Sequence, residues 1–314
     1  MQIVEYDQAD PLGVLELNLL SLGYPLTQQK MAQIRQLDRR AFPFLALYAI
    51  VDGVVAGQVG VDRLPVVTLD GPDEVGGVWA VCTHPAFSHK GIANRLLAEA
   101  HSRLRDAGLK YSTLGTARHR GAYPLYRQLG YEPVHHASNI FTLNEALLPP
   151  GRLRAERAGV ERLSMTDELF QRAAAGKLGF ARRHPEYIRM LVETGDMSLG
   201  EVWLLWDGEE SVGYALAFVF EAVMMVSHLV LLPGADAAEA VSALAQEQPS
   251  DYVRVRVDHP SVASSLVNSG YPAPLRDWSV FMVKPVDTAA SVEQFNHQTG
   301  ISTERFMISW IDVT

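Results

Sequence analysis

The chain is poor in several features that mark whole classes of protein. Cys82 is the only cysteine among its 314 residues, which excludes a disulfide framework and a cysteine-rich zinc site. No uncharged apolar run reaches about 18 residues, so no membrane span is expected. The closest stretch, SVGYALAFVFEAVMMVSHLVLL, is interrupted by Glu221 and His228. The first residues, MQIVEYDQAD, are acidic and lack an apolar segment, so they do not predict a signal peptide.

Positive charge is also scarce, since the formal net charge is −9. Binding to nucleic acid requires clustered cations, so neither nucleic acid nor a membrane is an expected partner. The patterns GxxxxGK[ST] and GxGxxG after a strand do not occur, which counts against ATP and dinucleotides. His184 has no partner at ligand spacing, and His135 and His136 point to opposite faces of a strand, so no metal is expected. The composition predicts a cytoplasmic enzyme or binding protein. We expect either a monomer or a homodimer.

The spacing of hydrophobic residues predicts a series of helices and strands whose order occurs twice along the chain. In the first half, the first 45 residues look helical, and three strand-like runs, a helix, a strand, a short helix and a strand follow. The sequence Val-Asp-Gly at 51–53 predicts a hairpin turn. Apolar residues at helical spacing from Ile92 to Leu104 predict the central helix, which Gly108 would end. The order begins again near residue 160, which suggests an internal duplication. Between the halves, LLPPGRLRAERAG has the proline and glycine content of a linker. Two glycine-tyrosine pairs, Gly130-Tyr131 and Gly270-Tyr271, align when the halves are superposed in sequence.

The stretch THPAFSHKGIANRLL, from Thr83 to Leu97, predicts an anion site. A helix start has about four N–H groups without internal partners and about half a positive charge. Gly91 lets a ligand approach the backbone closely, Lys90 adds charge, and the stretch has no acidic residue. The loop from Ser88 to Ala93 could therefore hold a pyrophosphate. The alternative is an ordinary helix with a glycine near its N-terminus.

Two motifs in this half resemble signatures of the GNAT superfamily of N-acetyltransferases. The first, Gln/Arg-x-x-Gly-x-Gly/Ala at the start of the central helix, is matched by SHKGIA from Ser88 to Ala93. The second, Asn-x-x-Ala-x-x-Leu-Tyr-x-x-x-Gly-Phe, is matched at His119, Ala122, Leu125, Tyr126, Gly130 and Tyr131. Ser88 stands where the family prefers Gln or Arg, and His119 stands where Asn is frequent. The resemblance covers residues 1–145 and extends over 160–285 only in outline.

The resemblance implies an α/β (α+β) fold of two GNAT-like repeats. Each repeat would have a mixed, mostly antiparallel sheet whose central parallel strands splay apart, flanked by helices. We therefore expect a catalytic GNAT domain at 1–148, a linker at 149–160, a degenerate GNAT-like domain at 161–285, and a C-terminal tail at 286–314 with a strand in RFMISWIDV.

The resemblance also implies an acyl-CoA-dependent N-acetyltransferase. Acetyl-CoA, or another acyl-CoA, would bind between GGVWAVCT and YSTLGTA, with its pantetheine amides paired to backbone groups as an added strand would be. A primary amine of a small molecule or peptide would then attack the thioester directly. The residues implied in acyl-CoA binding are Val81, Cys82, Thr83, Ser88, His89, Lys90, Gly91, Ile92, Ala93, Asn94, His119, Ala122 and Tyr126.

The resemblance places Tyr126 at the family's general-acid position. A phenol is protonated at neutral pH and could donate a proton to the leaving thiolate. The alternative is that Tyr126 only packs its ring in the core. Cys82 has no obvious base beside it and is interpreted as a small packing residue.

The general base is left open by the sequence. Many relatives carry a glutamate on the strand before the pyrophosphate loop, but GGVWAVCT has no carboxylate. The candidates are Asp73, Glu74, His84, His119, a chain of water molecules, and the C-terminal carboxylate of Thr314.

The second half lacks the chemistry of the first. Asp236 and Glu239 fall in the first turn of the corresponding helix, where they would repel a pyrophosphate, and Leu266 aligns with Tyr126. We expect this half to shape the acceptor pocket, or only to stabilise the fold or a dimer. A non-catalytic acyl-CoA-binding sensor or partner protein remains an alternative to the enzyme, as does a nucleotide-phosphate binder.

Overall fold

The computed structural model describes residues 1–149 and 151–312. Within these ranges the chain forms fourteen strands and nine α-helices, numbered in chain order. The strands are β1 (Gln2–Glu5), β2 (Ala41–Val51), β3 (Val54–Thr68), β4 (Gly71–Thr83), β5 (Tyr111–Ala117), β6 (Glu132–Leu143), β7 (Leu153–Arg157), β8 (Leu178–Gly179), β9 (Val202–Asp207), β10 (Glu210–Phe220), β11 (Val223–Leu231), β12 (Tyr252–Val257), β13 (Leu275–Pro285) and β14 (Phe306–Met307). The helices are α1 (Pro11–Leu22), α2 (Gln28–Leu37), α3 (Ile92–Asp106), α4 (Ala122–Gln128), α5 (Ser164–Ala173), α6 (Tyr187–Glu193), α7 (Ala237–Glu247), α8 (Pro260–Asn268) and α9 (Val292–Thr299).

One mixed sheet runs through the whole chain. Its strand order is β1-β2-β3-β4-β5-β13-β6-β12-β11-β10-β9-β7, with β8 and β14 off this path. The expected α/β fold with a large mixed sheet flanked by helices is therefore confirmed. Counted inward from either end of the sheet, the first five strands follow chain order, as β1 to β5 on one side and as β7 and β9 to β12 on the other. The last strand of each half, β6 or β13, is instead hydrogen-bonded to the other half. Thus β13 pairs with β5 and β6 pairs with β12, an exchange that the sequence did not predict.

Several local predictions match the structure. The Val-Asp-Gly turn joins β2 to β3, with positive φ at Asp52 (51°) and Gly53 (80°). Helix α3 buries the apolar stripe that defined its period and ends before Gly108, whose φ is +79°. The buried stripe comprises Ile92, Leu96, Leu97, Ala100 and Leu104.

Other elements differ from the prediction. Residues 2–5, placed in a helical region, form the edge strand β1. The segment 149–160, predicted as a linker, contains β7, which pairs with β9. The expected final strand shortens to the two residues of β14, and α9 precedes it. Edge strands are short and satisfy few hydrogen bonds, so their sequence patterns are weak.

The sheet of the first half is covered on both sides. Helices α3 and α4 pack on one face, called the α3 face, where the buried side chains include those of β3 residues Val59 and Val61. Helices α1 and α2 pack on the opposite α1 face. Because strand residues alternate between faces, Gln58, Gly60 and Asp62 belong to the α1 face. No helix of residues 1–149 and 151–312 is both long and apolar enough to cross a membrane.

Candidate active site

Strands β4 and β5 separate in the middle of the first half. They are parallel neighbours, but they pair only at Gly76–Ser112 and Gly77–Thr113. Beyond Gly77, β4 continues to Thr83 along β3, and beyond Thr113, β5 continues along β13. The space between them, called the cleft, leaves one edge of each strand without a strand partner. An extended ligand with amide groups could bind to such an edge as an added strand does.

A β-bulge lies in β4 beside the cleft. The β3–β4 register shifts between the pairs Gly60–Trp79 and Gln58–Cys82, and Ala80 has a φ of +46°. Bulges bend a strand and redirect its backbone groups. The sequence gave no signal for it, because alanine rarely adopts positive φ.

The predicted strand residues Val81, Cys82 and Thr83 do line the end of β4, but one of their backbone groups is already bonded. The Thr83 carbonyl accepts a hydrogen bond of 3.2 Å from the Ser21 hydroxyl of α1. Burial raises the pKa of the Cys82 thiol to about 12, so the thiol is protonated at neutral pH. Cys82 packs in the apolar cluster between α1 and the sheet.

The segment after β4 presents a run of unbonded amides. Among the described residues, the N–H groups of residues 89–94, called the amide loop, have no acceptor. Helix α3 has no side-chain cap and no acid in its first turn. Positive φ at His89 (59°) and Gly91 (73°) curves this backbone, as in the nests that bind anions. The geometry suits a pyrophosphate.

The side chains of the amide loop contribute unequally. Lys90 lies exposed, with its ammonium 4.8 Å from the centre of the Phe87 ring, so its charge stays near the loop. Ile92 is buried in the core, and only its backbone can face a ligand. The Ser88 N–H bonds the Pro85 carbonyl at 3.3 Å, so the unbonded run begins one residue later than predicted. His89 and Asn94 are exposed, and Ala93 is half-buried.

Tyr126 lies on α4 and is 6% exposed. Its ring packs edge to face on Tyr131, 5.8 Å between centroids. Among the described residues its hydroxyl has no hydrogen-bond partner. Burial and, to a smaller extent, the nearby Cys82 thiol raise the pKa of Tyr126 to about 12. The phenol is therefore near enough to the Cys82 thiol to interact with it electrostatically, and it is protonated at neutral pH.

The remaining predicted residues lie around these groups. Ala122 begins α4 and is half-buried, and His119 lies exposed in the turn between β5 and α4.

The sequence candidates for the base are scattered. Asp73 and Glu74 lie near the start of β4, opposite Val66 and Pro65 of β3, on the far side of the Gly77 pair from the amide loop. The His84 ring accepts a bond from the Ala86 N–H at 3.2 Å. Thr314 lies outside the described residues.

In the second half, two parallel strands also separate, but the helix start that follows them is capped by a carboxylate. Parallel pairing of β11 and β12 ends at Val226–Val255, and a cavity of about 350 Å³ follows. Here Asp236 caps α7, accepting from the N–H groups of Ala238 (2.8 Å) and Glu239 (3.0 Å). A carboxylate thus occupies the place where an anion would bind. Leu266, fully buried, stands at the turn that corresponds to Tyr126.

The two glycine-tyrosine turns have the same geometry. Gly130 and Gly270 have φ values of +87° and +89°. The Tyr131 N–H bonds the Tyr126 carbonyl at 3.0 Å, and the Tyr271 N–H bonds the Leu266 carbonyl at 3.0 Å. The sequence alignment of these pairs therefore corresponds to the same local structure.

Comparison with known proteins agrees with this geometry. Residues 13–131 match the model of the acetyltransferase (GNAT) family. No match was found among curated proteins. Three solved structures share the fold over 91% of this chain. They are a GCN5-related N-acetyltransferase from Kribbella flavida (18% identity, 72% of that chain, TM-score 0.68), a probable N-acyltransferase from Enterococcus faecalis (12%, 72%, 0.69), and a GCN5-related N-acetyltransferase from Anabaena variabilis (14%, 73%, 0.68).

Proposed function

We propose that this protein transfers an acetyl group from acetyl-CoA to a primary amine of a small molecule or peptide. The observation that carries the proposal is the position of the cleft directly ahead of the amide loop. The strand edges can hold an extended amide chain, and the unbonded N–H groups of residues 89–94 can hold the diphosphate at its end. A nucleotide phosphate alone would leave the cleft unused.

The residues present fit the coenzyme, and the acyl thioester would supply the activated carbonyl. The amide loop holds the diphosphate through its N–H groups and the ammonium of Lys90. Val81 and the N–H of Thr83 position the pantetheine arm along β4. Holding the two reactants in line is itself worth several powers of ten in rate.

Tyr126 supplies the proton that the departing sulfur needs. Its hydroxyl has no competing hydrogen bond among the described residues and retains its proton because of its burial, and its helix α4 directly follows β5, one of the two strands that border the cleft. A neutral donor in a buried site is suited to protonating a developing thiolate. The reaction needs no enzyme nucleophile, which agrees with the protonated state of Cys82.

We further propose that the two halves are an internal duplication, with one active site in residues 1–148. The mirrored strand order, the two splayed pairs and the matching glycine-tyrosine turns support this. Residues 161–285 then form a degenerate domain, because Asp236 caps the helix that would hold a diphosphate. The exchange of β6 and β13 makes the halves fold as one unit.

The test separates binding from turnover. Acetyl-CoA affinity is measured by calorimetry, and release of free CoA is followed with n-butylamine, phenethylamine and a lysine-containing tripeptide. We expect acetyl-CoA to bind and at least one amine to accelerate CoA release. Tight binding without release over a broad amine panel would contradict the proposal and leave a sensor. Stabilisation by ATP but not by CoA would contradict both.

A further inference from the structure

Two buried polar atoms beside the cleft have no partner among the described residues. They are the Oδ1 atom of Asp62, a residue 5% exposed on β3, and the indole Nε1 of Trp79 on β4. The indole N–H acts on the carboxyl as a hydrogen-bond donor and lowers its pKa, although the pair falls outside strict hydrogen-bond geometry. Buried donors and acceptors are nearly always paired in native proteins. An acceptor and a donor that are neighbours but only loosely paired can both bond a ligand that enters between them.

Strand register places Asp62 at the origin of the cleft. Asp62 lies opposite Gly77 in the β3–β4 pairing, and Gly77–Thr113 is the last pair before β4 and β5 separate. The residue that follows two positions later on β4 is Trp79. Its ring covers Gly60, where an added Cβ would meet the indole at 2.3 Å. The glycine therefore lets the indole lie flat over β3, beside Asp62.

Asp62 and Tyr126 approach the cleft from opposite faces of the sheet. Tyr126 packs in the cluster of the α3 face, whereas Asp62 belongs to the α1 face. A thioester held between the strands would have the Tyr126 hydroxyl on one side and the Asp62 carboxyl on the other. The acceptor amine has to enter from the side that Asp62 faces.

The charges around Asp62 leave its carboxyl only partly neutralised. Arg40 lies 3.9 Å from Asp62, but its closer partner is Asp38 at 2.7 Å. Behind Arg40, the Tyr187 hydroxyl accepts a bond from it at 3.1 Å, and His184 interacts with the same arginine. Burial raises the pKa of Asp62 to about 6, Arg40 opposes this shift, and Asp38 adds to it.

We propose that Asp62 binds the amine of the acceptor and takes its proton during acyl transfer, with the Trp79 N–H fixing the orientation of the acceptor. This role rests on the proposed function. It selects acceptors whose amine is cationic at neutral pH, because an ammonium complements a buried carboxylate. It also supplies a base at the cleft, where β4 has no carboxylate after Glu74.

The proton and electron balance is complete within the site. The bound ammonium first gives one proton to the Asp62 carboxylate, which releases it to water. The neutral amine nitrogen then forms a bond to the thioester carbonyl carbon and gives a second proton to the Asp62 carboxylate. The carbon–sulfur bond breaks with its electron pair on sulfur, and Tyr126 provides the proton for it. Asp62 then releases its proton to water, and Tyr126 regains one. The products are an amide and a free thiol.

The experiment compares Asp62→Asn with Asp38→Asn, which removes the main partner of the same arginine without touching the proposed base. The rate is measured against pH with phenethylamine and with aniline, which is already neutral at pH 7. For the wild type, kcat/KM with phenethylamine should fall below pH about 6. In Asp62→Asn this decrease toward low pH, called the acid limb, should disappear. The rate at pH 8 should fall about 10²- to 10⁴-fold. The loss should be smaller with aniline.

Two further readouts separate catalysis from folding. Acetyl-CoA affinity should stay unchanged in Asp62→Asn, and phenethylamine binding in the presence of CoA should weaken. Trp79→Phe should raise KM for the amine and move the acid limb to higher pH, because the indole lowers the pKa of Asp62. Asp38→Asn should lower the melting temperature and move the acid limb to lower pH without abolishing it, because the charge of Asp38 raises that pKa.

The outcomes are distinct. If the wild type transfers acetyl groups and Asp62→Asn keeps both the rate and the limb, the role of Asp62 is wrong while the proposed function stands. If Asp38→Asn abolishes the limb as well, the effect comes from Arg40, and Asp62 is not the base. If the wild type binds acetyl-CoA and acetylates no amine, the proposed function is wrong and the role of Asp62 with it.

Discussion

The hydroxyl of Ser21 donates a hydrogen bond to the carbonyl oxygen of Thr83, 3.2 Å away. Ser21 lies in the last turn of α1, and Thr83 is the last residue of β4. The bond therefore joins a helix of the α1 face to the mouth of the cleft. It also occupies a carbonyl that a ligand could otherwise use.

Replacing Ser21 with alanine should loosen this junction. The lost hydrogen bond should lower the free energy of unfolding by about 1 kcal/mol, measured by urea denaturation. Acetyl-CoA affinity should change by less than about tenfold, because the amide loop remains intact. Ser21→Thr keeps a hydroxyl and should behave as the wild type. An affinity loss far above tenfold would mean that α1 itself contacts the coenzyme.

Tyr126→Phe should lower kcat strongly with little effect on acetyl-CoA affinity. The expected loss is about 10²- to 10⁴-fold, the usual contribution of a general acid. Stability should hardly change, because the hydroxyl has no partner to lose among the described residues. Kinetics with the best amine, together with calorimetric binding, measure both quantities.

Tyr131→Phe is the matched control for that variant. The Tyr131 hydroxyl lies 2.8 Å from the His101 ring nitrogen and 2.6 Å from the Ser112 hydroxyl. Its removal should cost about 1–3 kcal/mol of stability, because buried groups lose their partner, while kcat falls little. If Tyr126→Phe and Tyr131→Phe affect kcat equally, Tyr126 acts through packing.

Gly91→Ala and Gly108→Ala test the amide loop from the two ends of α3. Both glycines have positive φ (73° and 79°) with open space around an added Cβ, so each variant should lose about 1–2 kcal/mol of stability. Only Gly91→Ala places a methyl group where the diphosphate would bind. It should weaken acetyl-CoA binding about tenfold or more, about 1.4 kcal/mol, and Gly108→Ala should not. Equal affinities would remove the amide loop from the binding site.

Asp236→Ala tests whether the second half lacks a coenzyme site. The variant removes the cap of α7 and should lower stability by about 1 kcal/mol. Acetyl-CoA should still bind with a stoichiometry of one and with unchanged affinity, as calorimetry can show. A lower affinity would place the second half in contact with the coenzyme.

Stability should fall with rising pH because of Asp258, which lines the cavity of the second half. Burial raises its pKa from 3.8 to about 7, against the opposing effect of Arg256. Between these values the folded protein binds more protons than the unfolded chain, so this stabilising contribution is complete below pH about 4 and is lost by pH about 7.

Asp258→Asn removes that dependence and should raise the free energy of unfolding at pH 8 more than at pH 4. Urea denaturation at the two pH values measures it. An equal change at both pH values would show that Asp258 titrates normally.

The sequence predicted much of the first half because the relevant signals are local. The stripe from Ile92 to Leu104 fixes α3, and Asp52-Gly53 fixes a hairpin, since both depend on residues within one or two turns of chain. The amide loop was also foreseeable, because Gly91 and the absence of acids are read directly. The unbonded run nevertheless begins at His89, because the Ser88 N–H is taken by Pro85.

Other features depend on contacts between distant segments. The bulge at Ala80 exists because β3 and β4 pair on both sides of it, and no propensity of alanine indicates it. Asp62 and Trp79 come together only through the β3–β4 register, so neither was a candidate from sequence. The edge strand β7 was interpreted as part of a linker because its five residues carry little pattern.

The sequence by itself determined most of the order of helices and strands in the first half, the glycine-initiated helix with its anion preference, and the tyrosine that follows it. Tertiary structure alone decided which strands are neighbours. A strand shows the same alternation of apolar and polar residues whichever strand it pairs with, so β6 and β13 could exchange sides without any change in pattern. Hydrogen bonding between distant strands made that choice, and the β3–β4 register likewise brought Asp62 and Trp79 together.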